Sequence, residues 1–180
     1  MTLQPQSVLA IGIDYQERLL PAIHEQDSLV ENSIKLFTGL QLLNIPLIMT
    51  QQYPKGLGHT IEAVRSVTGQ AAYFDKTTFS CYRDEATRAA IDGRHVDAVI
   101  VCGIEAHVCV LQAVIDLREA GFKVVVVTDC ISSRKKTDKK YAIKRLSQEG
   151  ALVGTYESVL FELLQGSHAP QFKEISKLVR

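Results

Sequence analysis

Residues 96–103 and 122–128 are two nearly unbroken apolar runs, and the 107–120 stretch between them is apolar on several sides at helical spacing. A strand covered on both faces reads as such a run, whereas a strand with one wet face alternates. Two such strands joined by a buried helix form the crossover unit of a parallel sheet, which needs helices on both faces. The rest of the chain repeats the theme. Residues 7–13 read as a short apolar strand ending at Asp14, and residues 28–43 carry Val30, Ile34, Phe37, Leu40 and Leu43 at helical spacing. Asn44 and Pro46 separate that helix from a second strand at 47–50. A Pro- and Gly-bearing loop (51–59), a short helix (60–67), a brief strand (72–74) and a helix capped by Asp84 follow. After the second apolar run come a helix at 137–148 stopped by Gly150, a strand at 151–153, and helices around 159–164 and 171–178. The expectation is a three-layer α/β/α fold around a mostly parallel, Rossmann-like sheet of about six strands. Residues 1–180 read as a single domain.

With 180 residues, 46% of them apolar and 22% charged, the chain can bury one substantial core. Twenty basic and twenty acidic residues cancel, so no overall field draws it toward nucleic acid or anionic lipid, and no nucleic-acid partner is expected. The one basic cluster, Arg134, Lys135 and Lys136 with Lys139 and Lys140, reads first as a solvated loop and helix start and second as an RNA patch. No segment approaches the ~20 apolar residues of a membrane span. Met1-Thr2-Leu3-Gln4-Pro5 lacks the basic-then-apolar pattern of a secretory leader. Cys81, Cys102, Cys109 and Cys130 form no C-x-x-C pair, so free thiols in a cytoplasmic protein are expected.

Open α/β sheets bind ligands beyond the carboxyl ends of their strands. There the successive strands deliver Asp14; Thr50, Gln51, Gln52 and Tyr53; Asp75 and Lys76; Glu105, His107 and Cys109; and Asp129 and Cys130. An acid, an amine and a thiol thus converge on one rim. Cys109 falls in the first turn of a helix, where unpaired N–H groups and the helix dipole lower a thiol pKa and can hold an oxyanion. The same position suits a buried structural cysteine, and position alone leaves both open. Asp14 reads as a base for that thiol, or as a helix cap or partner of Arg18. Lys76 reads as a charge partner for both, or as a surface lysine. Cys102 reads as core, and Cys81 and Cys130 read first as structural, though Cys130 lies near enough to the rim to wall a pocket.

Other chemistries lack their residues. The chain has no G-x-x-x-x-G-K-[ST], no G-x-G-x-x-G after the first strand and no G-x-S-x-G. His24, His59, His95, His107 and His168 are scattered without metal-ligand spacing, so neither a metal nor a cofactor is expected. His107 reads as a substrate-orienting residue or as a helix-start residue facing water.

Six segments in order carry a resemblance. They are Ile13-Asp14-Tyr15-Gln16, the run from Gln52 through Gly58, Lys76-Thr77-Thr78-Phe79-Ser80, the run from Cys102 through Cys109, Asp129-Cys130-Ile131-Ser132-Ser133-Arg134, and Pro170-Gln171-Phe172-Lys173-Glu174-Ile175. Over nearly its full length the chain resembles the isochorismatase-like cysteine hydrolases, especially the small isochorismatase domain-containing proteins. The resemblance implies a Cys-Asp-Lys triad at Cys109, Asp14 and Lys76. It also implies a non-proline cis peptide at Ile104–Glu105 that turns the N–H groups of Glu105 and Cys109 toward an oxyanion. Two departures stand out. Nicotinamidases of the superfamily carry a D-x-H metal motif where this chain has Gln51-Gln52-Tyr53, and many members have a small residue where it has Glu105. That glutamate is expected to put extra negative charge near the pocket.

The resulting expectation is a hydrolase of a small amide-like C–N bond working through a thioester. Tyr15, Gln16, Tyr53, Phe79 and Tyr82 are the candidates for its pocket wall, with core packing the other role for Phe79. A small-molecule substrate and self-association into a homo-oligomer are expected by family analogy. A catalytically quiet partner-binding protein and an RNA-acting enzyme are the alternatives.

Overall fold

A computed structural model describes residues 3–180; Met1 and Thr2, part of the segment read as lacking a leader, lie outside the described residues. Six strands form one sheet: β1 Val8–Ile13, β2 Leu47–Gln52, β3 Ala72–Lys76, β4 Ala98–Ile104, β5 Lys123–Ser132 and β6 Leu152–Gly154. Their spatial order is β3-β2-β1-β4-β5-β6, and every pairing is parallel. The helices are α1 Gln26–Leu42, α2 Pro54–Leu57, α3 Glu62–Thr68, α4 Glu85–Asp92, α5 Leu111–Glu119, α6 Lys136–Gln148, α7 Tyr156–Leu164 and α8 Phe172–Leu178. No described helix is long and apolar enough to cross a membrane.

The apolar runs become central strands because both of their faces are covered. All residues of β1 and β4 are buried. One face packs on α1, α7 and α8 through Leu36, Phe37, Leu40, Leu160 and Ile175, and the other packs on α4, α5 and α6 through Ile91, Val114, Leu117 and Leu146. Local chemistry marks the helix starts. The Asp84 side chain accepts from the Thr87 N–H at α4, and Thr155 and Ser158 form a reciprocal capping box at α7.

The structure differs from the sequence reading in its boundaries. Residues 54–57, read as loop, form the short α2, in which Pro54 supplies the first helical position. β3 continues through Asp75 and Lys76, because their backbones pair with Gln51 and Gln52. β5 runs to Ser132 through an irregular register opposite Val101 and Gly103. Asp129 therefore does not end a strand at the rim: its carboxylate accepts from the Tyr156 N–H at the start of α7. Strand order reverses between β1 and β4, and the crevice this opens at the carboxyl rim is where Asp14 and Cys109 emerge.

Candidate active site

β1 passes to its exit with Asp14 in the left-handed region (φ 57°), a conformation a short polar side chain tolerates. The Asp14 N–H donates to the Thr50 carbonyl at 3.1 Å, and the Thr50 hydroxyl donates to Asp14 Oδ1 at 2.8 Å. Lys76 reaches across from the end of β3, placing Nζ 2.8 Å from Asp14 Oδ2. Both side chains are wholly buried. A buried ion pair is tolerable only when its remaining hydrogen-bonding capacity is filled. Here Nζ also meets Gln52 Oε1 at 2.7 Å and the carbonyls of Thr78 and Phe79 at 3.2 and 3.1 Å. Neither a helix cap nor a partner for Arg18, Asp14 faces Lys76, while Arg18 donates to the Gly56 carbonyl.

The thiol comes from the next strand over. Between β4 and α5, residues Ala106–Val110 form a wide π-helical turn in which the Glu105 carbonyl accepts from Val108 and Val110. Cys109 lies in this turn, 7% exposed. The Ile104–Glu105 peptide immediately before it is cis. β4 approaches β1 closely here: a Cβ on Gly103 would stand 2.1 Å from the Ile13 carbonyl oxygen, so only glycine fits.

The sequence reading expected the helix start to lower the thiol pKa. The structure corrects it. Burial first, and the Asp14 carboxylate beside it second, push the Cys109 thiol up to about 12, against a smaller lowering by Lys76. A thiol in that state needs a base at the moment of attack, and the carboxylate that raises its pKa is a proton acceptor beside it.

Cys81 and Cys102 are likewise pushed up to about 12 by burial, and Cys130 is raised well above its ordinary value. The folded chain therefore holds its thiol protons after the unfolded chain, with pKa values near 9, has released them. Stability is expected to fall as pH rises from about 9 toward 12, by roughly 1 kcal/mol per pH unit per thiol. Urea titrations at pH 8 and pH 10 check this; equal midpoints would contradict it.

The proposed pocket-wall residues separate into two groups. Tyr53 (53% exposed) and Phe79 (54% exposed) stand at the rim, Phe79 outward rather than in the core because Lys76 holds its carbonyl inward. Tyr15 is fully buried on the α1 face, its hydroxyl bonded to Ser33 and the Cys130 carbonyl, so it is core rather than wall. Gln16 is a buried bracket: its amide joins the Gln52 backbone at both N–H and carbonyl and also reaches the Gly58 carbonyl. Tyr82 turns away, its hydroxyl on Asp92 and its ring edge-on to Phe122 near the opposite end of the sheet. Cys130 is wholly buried.

A cavity of about 360 Å³ beside the rim is lined by Tyr53, Pro54, Lys55, Asp75, Lys76, Thr77 and Asp84. A larger hollow of about 620 Å³ around Arg118 and Gly121 lies at the amino ends of the strands and holds none of the candidate residues. Among the described residues no group of three or more His, Cys, Asp or Glu is placed to hold a metal ion.

Sequence reasoning missed the roles of Thr50, Gln52 and Arg134. The first two sit at the end of β2, and their alternation there was the available signal. Arg134 pairs with Glu105, Nε to Oε2 at 3.0 Å, across 29 positions of sequence. The negative charge expected at Glu105 is thus matched by the Arg134 guanidinium. His107 does not face water freely: its Nδ1 is 2.9 Å from the Ser133 hydroxyl, and Nε2 lies 3.9 Å from Asp138.

Comparison with known proteins agrees with this fold. Residues 8–158 match the family model described as Isochorismatase domain. Isochorismatase domain-containing protein 2 of Danio rerio is 39% identical over 166 residues, which cover 92% of this chain and 83% of that protein. Isochorismatase domain-containing protein 1 of Salmo salar is 37% identical over 176 residues, 98% of this chain but only 62% of the relative's length. A solved structure titled MAR1 ribonuclease, from Caenorhabditis elegans, superposes with a TM-score of 0.92 at 39% identity, over 99% of this chain and 92% of that one. With this fold, and a family model spanning most of its length, the chain belongs to the isochorismatase family.

Proposed function

We propose that this chain is a cysteine-dependent hydrolase of small amide-like C–N bonds. The observation that carries the reading is the fully buried Asp14–Lys76 pair set beside a thiol whose proton must be removed before it can attack. Asp14 takes the Cys109 proton as Sγ adds to the substrate carbonyl carbon. The N–H groups of Glu105 and Cys109 receive the oxyanion. Collapse breaks the C–N bond, and Asp14 returns the proton to the departing amine. Water then adds to the thioester with Asp14 as base, releasing a carboxylic acid and restoring the thiol. Lys76 holds the Asp14 carboxylate in place and offsets the charge that passes between acid and thiolate. Tyr53 and Phe79 flank the entrance, and no metal or cofactor enters this scheme. A cytoplasmic location and self-association belong to the same reading.

A panel of small primary and secondary amides tests it, with release of amine as the readout and mass spectrometry for a Cys109 acyl adduct. The wild type is expected to turn over at least one member and to form the adduct. Cys109→Ser is expected to lose about 10⁴-fold or more in kcat, as removal of a nucleophile does elsewhere. No turnover by the wild type, with no adduct, would move the assignment to a catalytically quiet partner-binding protein, and equal turnover by wild type and Cys109→Ser would remove Cys109 from the chemistry.

A second reading, action on RNA, is favoured by one specific observation: the 39% identical structure titled a ribonuclease. The run from Arg134 to Lys140 supplies the basic residues such a substrate needs. RNA cleavage by the wild type that Cys109→Ser retains would support a separate site for it.

A further inference from the structure

The chain is neutral overall, but its charge is unevenly spread. Residues 134–145, most of α6 and the two residues before it, hold seven basic residues against the single acid Asp138. Residues 17–31, from the exit of β1 into α1, hold Glu17, Glu25, Asp27 and Glu31 against one permanent cation, Arg18. Two patches of opposite sign thus lie on one molecule.

Each patch also carries an apolar feature. α6 buries Ala142 and Leu146 and turns Lys140, Tyr141 and Lys144 outward. A tyrosine 62% exposed therefore stands beside two lysines one helical turn apart. Among the described residues neither lysine has an ion-pair partner. The acidic patch borders a groove of about 450 Å³, lined by the apolar Leu20, Val30, Ile34 and Ile61 and by the exposed acids Glu17, Asp27 and Glu31. Glu31 pairs with Lys35 and Glu17 accepts from the His59 N–H, whereas Asp27 has no ion-pair partner among the described residues.

An exposed tyrosine or an apolar groove is ordinary alone. Together each offers what the other lacks: a ring flanked by cations, and an apolar recess flanked by acids. They cannot meet within one chain, because α1 covers one face of the sheet and α6 the other. Neither patch fits its own counterpart, since lysines would face lysines and acids would face acids. Pairing between two different patches is a head-to-tail contact, which repeats from copy to copy until a ring closes.

We propose that copies of this chain associate head to tail, with Tyr141 of one copy seated in the groove of the next and Lys140 and Lys144 against Glu17, Asp27 and Glu31. A tyrosine ring buries about 150–250 Å² and is among the side chains that dominate interface energies. The flanking charges fix the register and reject the wrong pairing. The proposal names the surface for the self-association put forward above and does not depend on Cys109 being reactive.

Sedimentation velocity and native mass spectrometry on the full chain test it. The wild type is expected to run heavier than one chain and to dissociate more readily at high ionic strength. Tyr141→Asp is expected to weaken association about 30-fold or more, and Lys144→Glu and Asp27→Lys about tenfold each. Far-UV circular dichroism and continued protection of Cys81, Cys102 and Cys130 from alkylation check that these surface variants stay folded. Asp27→Lys and Lys144→Glu combined in one chain should restore association, because each reversed charge then meets the other. Mixing Tyr141→Asp with Asp27→Lys should give a two-chain complex, because the first keeps an intact groove and the second an intact Tyr141.

A wild type that stays monomeric overturns the proposal, and RNA retained by that monomer would assign the basic face to nucleic acid. Association unchanged in Tyr141→Asp, or lost in the single reversals and not regained in the double one, overturns it as well. Amide turnover by a monomeric wild type removes this interface and leaves the hydrolase reading standing, while association without turnover of any amide does the reverse.

Discussion

Asp14→Asn is expected to alkylate faster at Cys109 than the wild type at pH 8, while losing about 10²–10⁴-fold in amide turnover. The opposite signs follow from the two things the carboxylate does. Its charge raises the thiol pKa, so removing it leaves burial opposed by Lys76 and brings the thiol back toward its ordinary range. Each unit of that fall raises the thiolate fraction about tenfold below the pKa. Turnover needs more than thiolate: the departing amine must be protonated and the water deprotonated, and an amide side chain does neither. Lys76→Met should act the other way on labelling, because the larger of the two lowering influences is gone and Asp14 is left buried without its partner.

The measurement is the pH profile of iodoacetamide labelling, with adducts located by mass spectrometry. Cys81, Cys102 and Cys130, all wholly buried, serve as the internal control for folding and should stay unlabelled. Slower labelling in Asp14→Asn than in wild type, with those three still protected, would mean that the carboxylate does not face the thiol as described. Equal turnover in the two proteins would remove Asp14 from the chemistry.

Gly103→Ala is expected to be among the most destabilising single substitutions in the chain. Gly103 pairs with Ile13 between β1 and β4, at φ 120°, and an added Cβ would lie 2.1, 2.6 and 2.8 Å from the carbonyl oxygen, nitrogen and carbonyl carbon of Ile13. All three are backbone atoms of a central strand, so no side-chain rotation relieves the clash. The strands must part or the residue must leave its conformation, and a loss of about 4 kcal/mol or more is expected. For a chain of this size that corresponds to a fall in Tm of roughly 10 °C. Gly121→Ala separates the two contributions. It also has positive φ (95°), but an added Cβ there meets nothing within 4 Å, so its cost is conformational only. Similar melting temperatures for the two variants would show that β1 and β4 do not approach as closely as described.

The distance at Gly103 also bears on the site. Asp14 directly follows Ile13, and Glu105 and Cys109 lie a few residues beyond Gly103, so the spacing of these two strands sets the spacing of acid and thiol. A variant with that seam opened should lose the Asp14-dependent behaviour of Cys109 as well as stability.

Periodicity and composition settled much of this protein without coordinates. Unbroken apolar runs at 96–103 and 122–128 imply strands covered on both faces, and the intervening helix implies parallel neighbours; the all-parallel six-stranded sheet follows. Strand ends also told which polar residues share a rim, because every strand of a parallel sheet points the same way. Burial and pairing depend on residues distant in sequence, and these the tertiary structure decided. Tyr15 and Gln16 neighbour Asp14 in the chain, yet one enters the core and the other brackets a loop, since the turn at Asp14 directs successive side chains apart. Glu105 reads as an extra negative charge near the pocket, and its pairing with Arg134, just beyond the extended β5, appears only in the fold. The thiol of Cys109 reads as acidified by a helix start until its burial is known, because desolvation depends on everything packed around a group and no local spacing reports it.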